Sequence, residues 1–253
     1  MSNNKIIRIW GGLGNQLFQY SYGKFLEKKL EKEILFNIEW FNQSNKRRFI
    51  LKDILKFTNE TSEKKISLIQ KVANYRMENT YKYLSKKNFY LLPETLIGYW
   101  QDIFFARYLK IDNFKDNFFS QSIKNLEKDY YVLHFRGGDF YKSKDHVVLD
   151  TNYYEKSSSY FNDKVIYCIS DDQIKLDKLL IDLNLSNTIK LDLNELDAFR
   201  LIYNSKGGIA SNSTFCWWPV FLSNNKNWVF SKIWLKNKSL FDENLYIKNT
   251  LVL

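Results

Sequence analysis

Cysteine is scarce in this chain: two among 253 residues, Cys168 and Cys216, in separate apolar surroundings. That excludes a disulfide framework and a cysteine-rich metal cluster, fits a reducing compartment, and leaves both thiols to pack as small hydrophobes. No apolar run approaches the roughly 18–20 residues that a bilayer-spanning helix needs. No secretory leader is legible, because Met1–Lys5 leads straight into Ile6-Ile7-Arg8-Ile9-Trp10, too short and too interrupted for one. The expected location is the cytoplasm, free or held peripherally at the inner face of the cytoplasmic membrane. Internal repeats and low-complexity tracts are also absent.

Apolar and aromatic residues are abundant. The chain is 45% hydrophobic and 26% charged, with 20 Phe, 17 Tyr and 7 Trp. Such a composition folds and stays soluble, and its rings suit large cores and stacking pockets. The length allows one large domain or two small ones. Charge divides the chain: residues 1–128 carry 23 Lys or Arg against 13 Asp or Glu, and residues 129–253 carry 15 against 15. The whole net charge of +10 therefore belongs to the first half. Two domains with different partners, 1–128 and 129–253, are expected. Nucleic acid, an acidic membrane face or a phosphorylated substrate would each answer the basic half, and so would a plain solvated surface.

Lys5–Trp10 has the composition of a first strand. After Gly11-Gly12-Leu13-Gly14-Asn15-Gln16, Phe18, Tyr22, Phe25 and Leu26 fall at i, i+4, i+7 and i+8, one face of a helix. A strand, a Gly-rich turn and a helix bring backbone N–H groups to face an anion. The third glycine of a dinucleotide fingerprint is missing, and no Gly-Lys-Ser/Thr follows, so neither that motif nor a P-loop is present. Glu33–Ile38 would complete a βαβ unit. Residues 42–95 are Lys-, Asn- and Glu-rich, with helical spacing over Lys65–Tyr83 and no legible site. Leu96-Ile97 is a short strand, and Asp112–Lys128 reads as helix and linker.

The second half alternates regularly. Strands are expected at Tyr130–Phe135, Val165–Ser170, Thr188–Asp192, Gly207–Ala210 and Asn227–Ser231. Helices are expected near Asn152–Phe161, Gln173–Asn184, Glu195–Ser205 and Phe215–Leu222. This pattern predicts a parallel, doubly wound sheet. Three polar groups then follow three of its strands, where open α/β sheets bind ligands. They are His134, Arg136 and Asp139; Ser170-Asp171-Asp172; and Ser211-Asn212-Ser213-Thr214. Arg136 can chelate phosphate oxygens with its planar fork. An aspartate at 171 or 172 can accept two hydrogen bonds from one edge of guanine or from ribose hydroxyls. Hydroxyls and N–H groups at a helix start can hold phosphate. A structural Arg–Asp pair and ordinary N-capping suit the same residues.

Five motifs occur in order: Gly11-Gly12-Leu13-Gly14-Asn15-Gln16-Leu17-Phe18-Gln19-Tyr20, Gly98-Tyr99-Trp100-Gln101-Asp102, His134-x-Arg136-x-x-Asp139, Ser170-Asp171-Asp172 and Ser211-Asn212-Ser213-Thr214-Phe215-Cys216-Trp217-Trp218. Together they resemble the bacterial α-1,2-fucosyltransferases of glycosyltransferase family 11. The resemblance implies an α/β, GT-B-like fold, two Rossmann-like domains facing each other across a cleft. The first domain would take the acceptor and the second the GDP-sugar. It implies inverting transfer of L-fucose, or a related 6-deoxyhexose, from its GDP-sugar to the 2-hydroxyl of a galactoside in a surface glycan such as O-antigen. No metal and no other cofactor would be required.

By position, the resemblance makes Arg136 the arginine on the donor diphosphate. Gly12, Gly14, Asn15 and Gln16 become the N-terminal donor loop, and Asp171 or Asp172 the guanosine contact. Ser213 and Thr214 lie at the β-phosphate, Ser211 and Asn212 belong to the donor-binding set, and His134 shapes the pocket. The family usually has a second arginine at 137, where this chain has Gly137. That opens the donor to a relative such as GDP-colitose. For the base that deprotonates the acceptor, Asp139 ranks first, then Asp145 and His146; burial is expected to raise the basicity of Asp139. Asp139 orienting Arg136 is the alternative role. The rival readings are a metal-dependent GT-A transferase using Asp171-Asp172 and a basic nucleic-acid-binding protein. The resemblance favours a GDP-sugar donor, a glycan acceptor that can be lipid-linked at an anionic membrane surface, and no nucleic acid.

Overall fold

The computed structural model describes residues 5–43, 47–121, 123, 126–237 and 245–253. It divides into two compact units, Met1–Phe118 and Phe119–Leu253. The charge-based boundary at Asp129 lies beyond that division because Phe119 stacks on Tyr203 at 3.9 Å and accepts a hydrogen bond from Asn204 Nδ2 at 2.9 Å.

The first unit contains β1 (Ile6–Arg8), α1 (Leu13–Leu30), β2 (Leu35–Asn37), α2 (Glu39–Gln43), α3 (Leu51–Ile54), β3 (Thr61–Ser62), α4 (Leu68–Lys87), β4 (Thr95–Leu96) and α5 (Ile103–Ala106). Its sheet runs β3-β2-β1-β4, all parallel, with Ile6 beside Leu35 on one side and Thr95 on the other. The helix expected over Lys65–Tyr83 starts and ends later, where the Ser67 hydroxyl and Gln70 form a reciprocal cap. Over Asp112–Lys128 the structure gives a tight 3-10 turn at Ile111–Asn113 and a further turn over 116–120 in place of a helix, and residues 122, 124 and 125 lie outside the description.

The second unit contains β5 (Tyr131–Phe135), α6 (Thr151–Ser158), β6 (Ile166–Ser170), α7 (Gln173–Leu183), β7 (Thr188–Lys190), α8 (Glu195–Asn204), β8 (Gly208–Ile209), α9 (Thr214–Leu222), β9 (Trp228–Phe230) and β10 (Leu251–Val252). All are parallel in the order β10-β9-β8-β5-β6-β7. Counted from β5, that is the Rossmann strand order, and its reversal falls between β5 and β8. The last strand, β10, escapes sequence reading because two residues carry no periodicity.

The strands read as apolar runs because parallel sheets are covered on both faces. Leu133, Phe135, Ile166, Cys168 and Ile209 join Leu149, Tyr154, Leu176 and Leu179 in one core cluster. Both cysteines are buried free thiols, with burial raising the Cys168 thiol to about 12. Helix starts are polar by design: Asp150, Asp172, Asn194 and Ser213 each cap the helix that follows, each cap being worth about 1 kcal/mol.

Candidate active site

The parallel register aligns the strand ends of the second unit. Phe135 pairs with Ser170 at the ends of β5 and β6, and Leu133 with Ile209 where β8 ends. The three polar groups read from the sequence therefore emerge along one edge, around the point where strand order reverses.

Arg136 is the centre of this edge. Its Nη2 lies 2.6 Å from Asp139 Oδ1 and its Nη1 2.8 Å from Asp171 Oδ2. The guanidinium also lies over the Phe140 ring at 5.0 Å, and Phe140 stacks on His146 at 4.3 Å. The Arg136 side chain is only 14% exposed, whereas that of Asp139 is 67% exposed. Burial of Asp139, expected for a general base, is therefore not found. The reason is local: Asp139 sits in the short Gly138–Lys142 turn, which leaves the strand edge for solvent.

Asp171 is doubly engaged. Besides Arg136 it accepts the Gly137 N–H at 3.0 Å. A Cβ at Gly138, whose φ is +32°, would lie 2.1 Å from Asp171 Oδ2, so glycine there admits the carboxylate against the backbone. Asp172 accepts from Lys175 N–H at 3.1 Å and caps α7. The two adjacent aspartates thus serve different partners. Gly137 is also enclosed: an added Cβ would lie 3.0–3.2 Å from Phe135, Asp172 and Tyr141.

His134 and Ser211 are buried, with Nδ1 and Oγ 2.7 Å apart. Burial, with Arg136 nearby, pushes the His134 imidazole down to about 3. It is neutral at physiological pH. Asn212 donates to the Val147 and Trp234 carbonyls at 2.8 and 3.0 Å, fastening two loops. Ser213 accepts from Phe215 N–H at 3.3 Å as the cap of α9, and Thr214 is the first helical residue. His146 bonds Ser143 Oγ through Nδ1 at 2.8 Å; burial lowers its pKa, with Asp139 and Asp145 acting the other way.

The other sequence-derived residues belong to the first unit's own strand edge. Gly11 turns with φ +83° and Gly12 caps α1. Gly14 is buried inside α1, and Asn15 Oδ1 accepts from Gln101 Nε2 at 3.0 Å. Gln16 is fully buried: its Nε2 donates to Gly11 and Arg48 carbonyls and its Oε1 accepts the Ile50 N–H, each at 3.0 Å. Its hydrogen-bonding capacity goes to the fold. The ring of Phe140 beneath Arg136 was not legible as a site residue; its place directly after Asp139 was the only available signal. The same holds for Glu78, which accepts the Tyr99 and Trp100 N–H groups at 2.9 and 2.8 Å and so secures Trp100 at φ +56°.

Two units, each with a parallel Rossmann-type sheet, are the architecture of the GT-B class of glycosyltransferases. The solved structure of NodZ α-1,6-fucosyltransferase co-crystallised with GDP has this fold: TM-score 0.60 at 10% identity, covering 88% of this chain and 93% of that one. So does fucosyltransferase NodZ from Bradyrhizobium, TM-score 0.56 at 8% identity, covering 88% and 94%. Glycosyl transferase family 11 matches residues 2–249, and the chain belongs to that family. It is similar to the O-antigen biosynthesis glycosyltransferase WbnK of Escherichia coli, 28% identical over 84% of this chain and 88% of WbnK.

Proposed function

We propose that this glycosyltransferase moves L-fucose, or a related 6-deoxyhexose such as colitose, from its GDP-sugar to the 2-hydroxyl of a galactoside in a surface glycan such as O-antigen, with inversion. The observation that carries this reading is Arg136, a buried-edge guanidinium at the strand-order reversal of the second unit, directly after the strand that pairs with β8, from whose end the chain leads into α9. Family membership and a GDP complex of a protein with this fold support it.

In this reading the donor diphosphate takes the place of Asp139 on Nη2 of Arg136, while Asp171 keeps Nη1. Asp139 is the exchangeable partner because it is the exposed one. Arg136 and the first N–H groups of α9, with Thr214, then stabilise charge on the departing GDP. Asp139, released from its ion pair, takes the acceptor proton. Asp172 flanks the nucleoside, and His134 fixes the floor through Ser211. No metal is proposed, because Asp171 and Asp172 are committed to Arg136 and to a helix cap and do not converge as a chelate.

Calorimetry with GDP, with and without EDTA, tests the core of the reading, followed by transfer from GDP-fucose and GDP-colitose to β-galactosides. Submillimolar, EDTA-insensitive GDP binding and an α-linked product by NMR are expected. Absence of GDP binding would end it.

A further inference from the structure

Helix α4 is built with its polarity inverted. Its only buried residues, among those described, are Asn74 and Ser85. The face turned to the first unit is tied down by polar groups. Asn74 Oδ1 accepts the Ile97 N–H, Glu78 holds the Tyr99 and Trp100 N–H groups, and Lys82 Nζ donates to the Gln101 carbonyl. Ser85 Oγ meets the Tyr22 hydroxyl at 2.7 Å, and Lys86 pairs with Asp102 at 2.5 Å. The opposite face carries the apolar side chains: Leu68 is 75% exposed, Ile69 83%, Val72 47% and Tyr83 64%. Exposed Tyr90 and Leu91 follow directly after the helix. Soluble helices place these side chains inward, and an exposed apolar surface of this kind marks an interaction site.

Charge identifies what covers it. Leu68, Val72, Arg76, Tyr83 and Lys87 recur at i, i+4, i+8, i+15 and i+19, one stripe of the helix. Of the helix's five basic residues, Lys71, Lys82 and Lys86 pair with Glu39, Glu78 and Asp102, while Arg76 and Lys87 stand exposed on the outward stripe; its one acidic residue, Glu78, is turned inward. Lys64 and Lys65 stand exposed just ahead of it. Cations set within an exposed apolar stripe match the boundary between acyl chains and anionic headgroups. A second copy fits poorly, since a two-fold contact brings each patch onto itself and gathers Arg76 and Lys87 of both copies in one interface with no acid of the stripe to answer them. We infer that the outward face of α4, with Tyr90 and Leu91, docks on an anionic lipid surface.

Co-sedimentation with phosphatidylcholine vesicles, with and without phosphatidylglycerol, tests this on the full chain at low salt. The protein should pellet only with the phosphatidylglycerol vesicles and be released by salt. Ile69→Glu with Val72→Glu, and separately Arg76→Glu with Lys87→Glu, should each lower the partition coefficient by roughly tenfold or more. Unchanged circular dichroism melts establish that both pairs fold. No pelleting with anionic vesicles overturns the inference, as does pelleting that survives Ile69→Glu with Val72→Glu. A wild-type dimer in sedimentation equilibrium that this pair dissolves would assign the face to a second copy and overturn it equally. Lipid binding is read directly, so a failure of the GDP-sugar reading leaves this result standing, and the reverse.

Discussion

Arg136 and Asp171, 35 positions apart in the chain, meet at 2.8 Å across the ends of β5 and β6. The same carboxylate takes the Gly137 N–H, so the turn that begins the site and the guanidinium it presents are fixed by one side chain. Asp139 grips the other side of the guanidinium from solvent. The fork is thus oriented before any ligand arrives, with one replaceable partner.

Truncating the fork should be severe. Arg136→Ala is expected to lower kcat/KM for the GDP-sugar by several hundred-fold, about 3–4 kcal/mol of transition-state stabilisation. Arg136→Lys should recover little, because an ammonium cannot hold Asp171 and phosphate in one plane. Steady-state kinetics checks both; wild-type-like turnover in either removes Arg136 from the chemistry.

The two aspartates should separate. Asp139→Ala removes an exposed pair worth about 0–1 kcal/mol, so urea unfolding should barely move while transfer collapses and GDP affinity holds or rises. Asp171→Ala leaves the Gly137 N–H and Arg136 without their partner and should cost about 1–3 kcal/mol of stability, with weaker GDP binding. Equal effects of the two changes on GDP affinity would contradict the assignment of Asp139 as the exchangeable partner.

His134 gives the fold a pH dependence with a definite sign. In the unfolded chain the imidazole takes a proton below about 6.5, while in the folded protein it resists protonation down to about 3. The unfolded state therefore binds more protons between those values, and stability rises with pH across that window. The contribution is complete above about 6.5 and is lost as pH falls, by up to ~1.4 kcal/mol per pH unit. His134→Gln should flatten that slope in urea titrations run from pH 7 to pH 4. An unchanged slope would mean that His134 titrates normally.

Gln16 tests whether its role is structural. Gln16→Leu strands the Ile50 N–H and two carbonyls, each buried unmade bond costing about 1–3 kcal/mol. A drop in melting temperature with near-normal residual kcat in the folded fraction is expected. A stable but inactive variant would instead place Gln16 on the donor.

Much of the local structure was legible from neighbouring residues alone. The run Tyr131–Phe135 before a glycine pair makes a strand and a turn wherever it lies. Phe18, Tyr22, Phe25 and Leu26 make one helical face, and all four are fully buried. Asp172 and Ser213, both readable as caps, begin helices because their side chains bond N–H groups three and two residues ahead. The motifs also fixed which residues would stand at strand ends. Only the tertiary structure decided what those residues do with their bonds. Gln16 follows the Gly-rich turn in the first turn of α1, yet is buried and bonded to residues 48 and 50, a contact no periodicity encodes. Asp171 belongs to Arg136 rather than to the helix after it because β5 and β6 are neighbours in register. Helix α4 turns its polar side chains inward because the Tyr99 and Trp100 N–H groups need an acceptor there. Helical or strand character follows from interactions a few residues long, whereas the partner of a charge or an amide is set by which strands lie side by side.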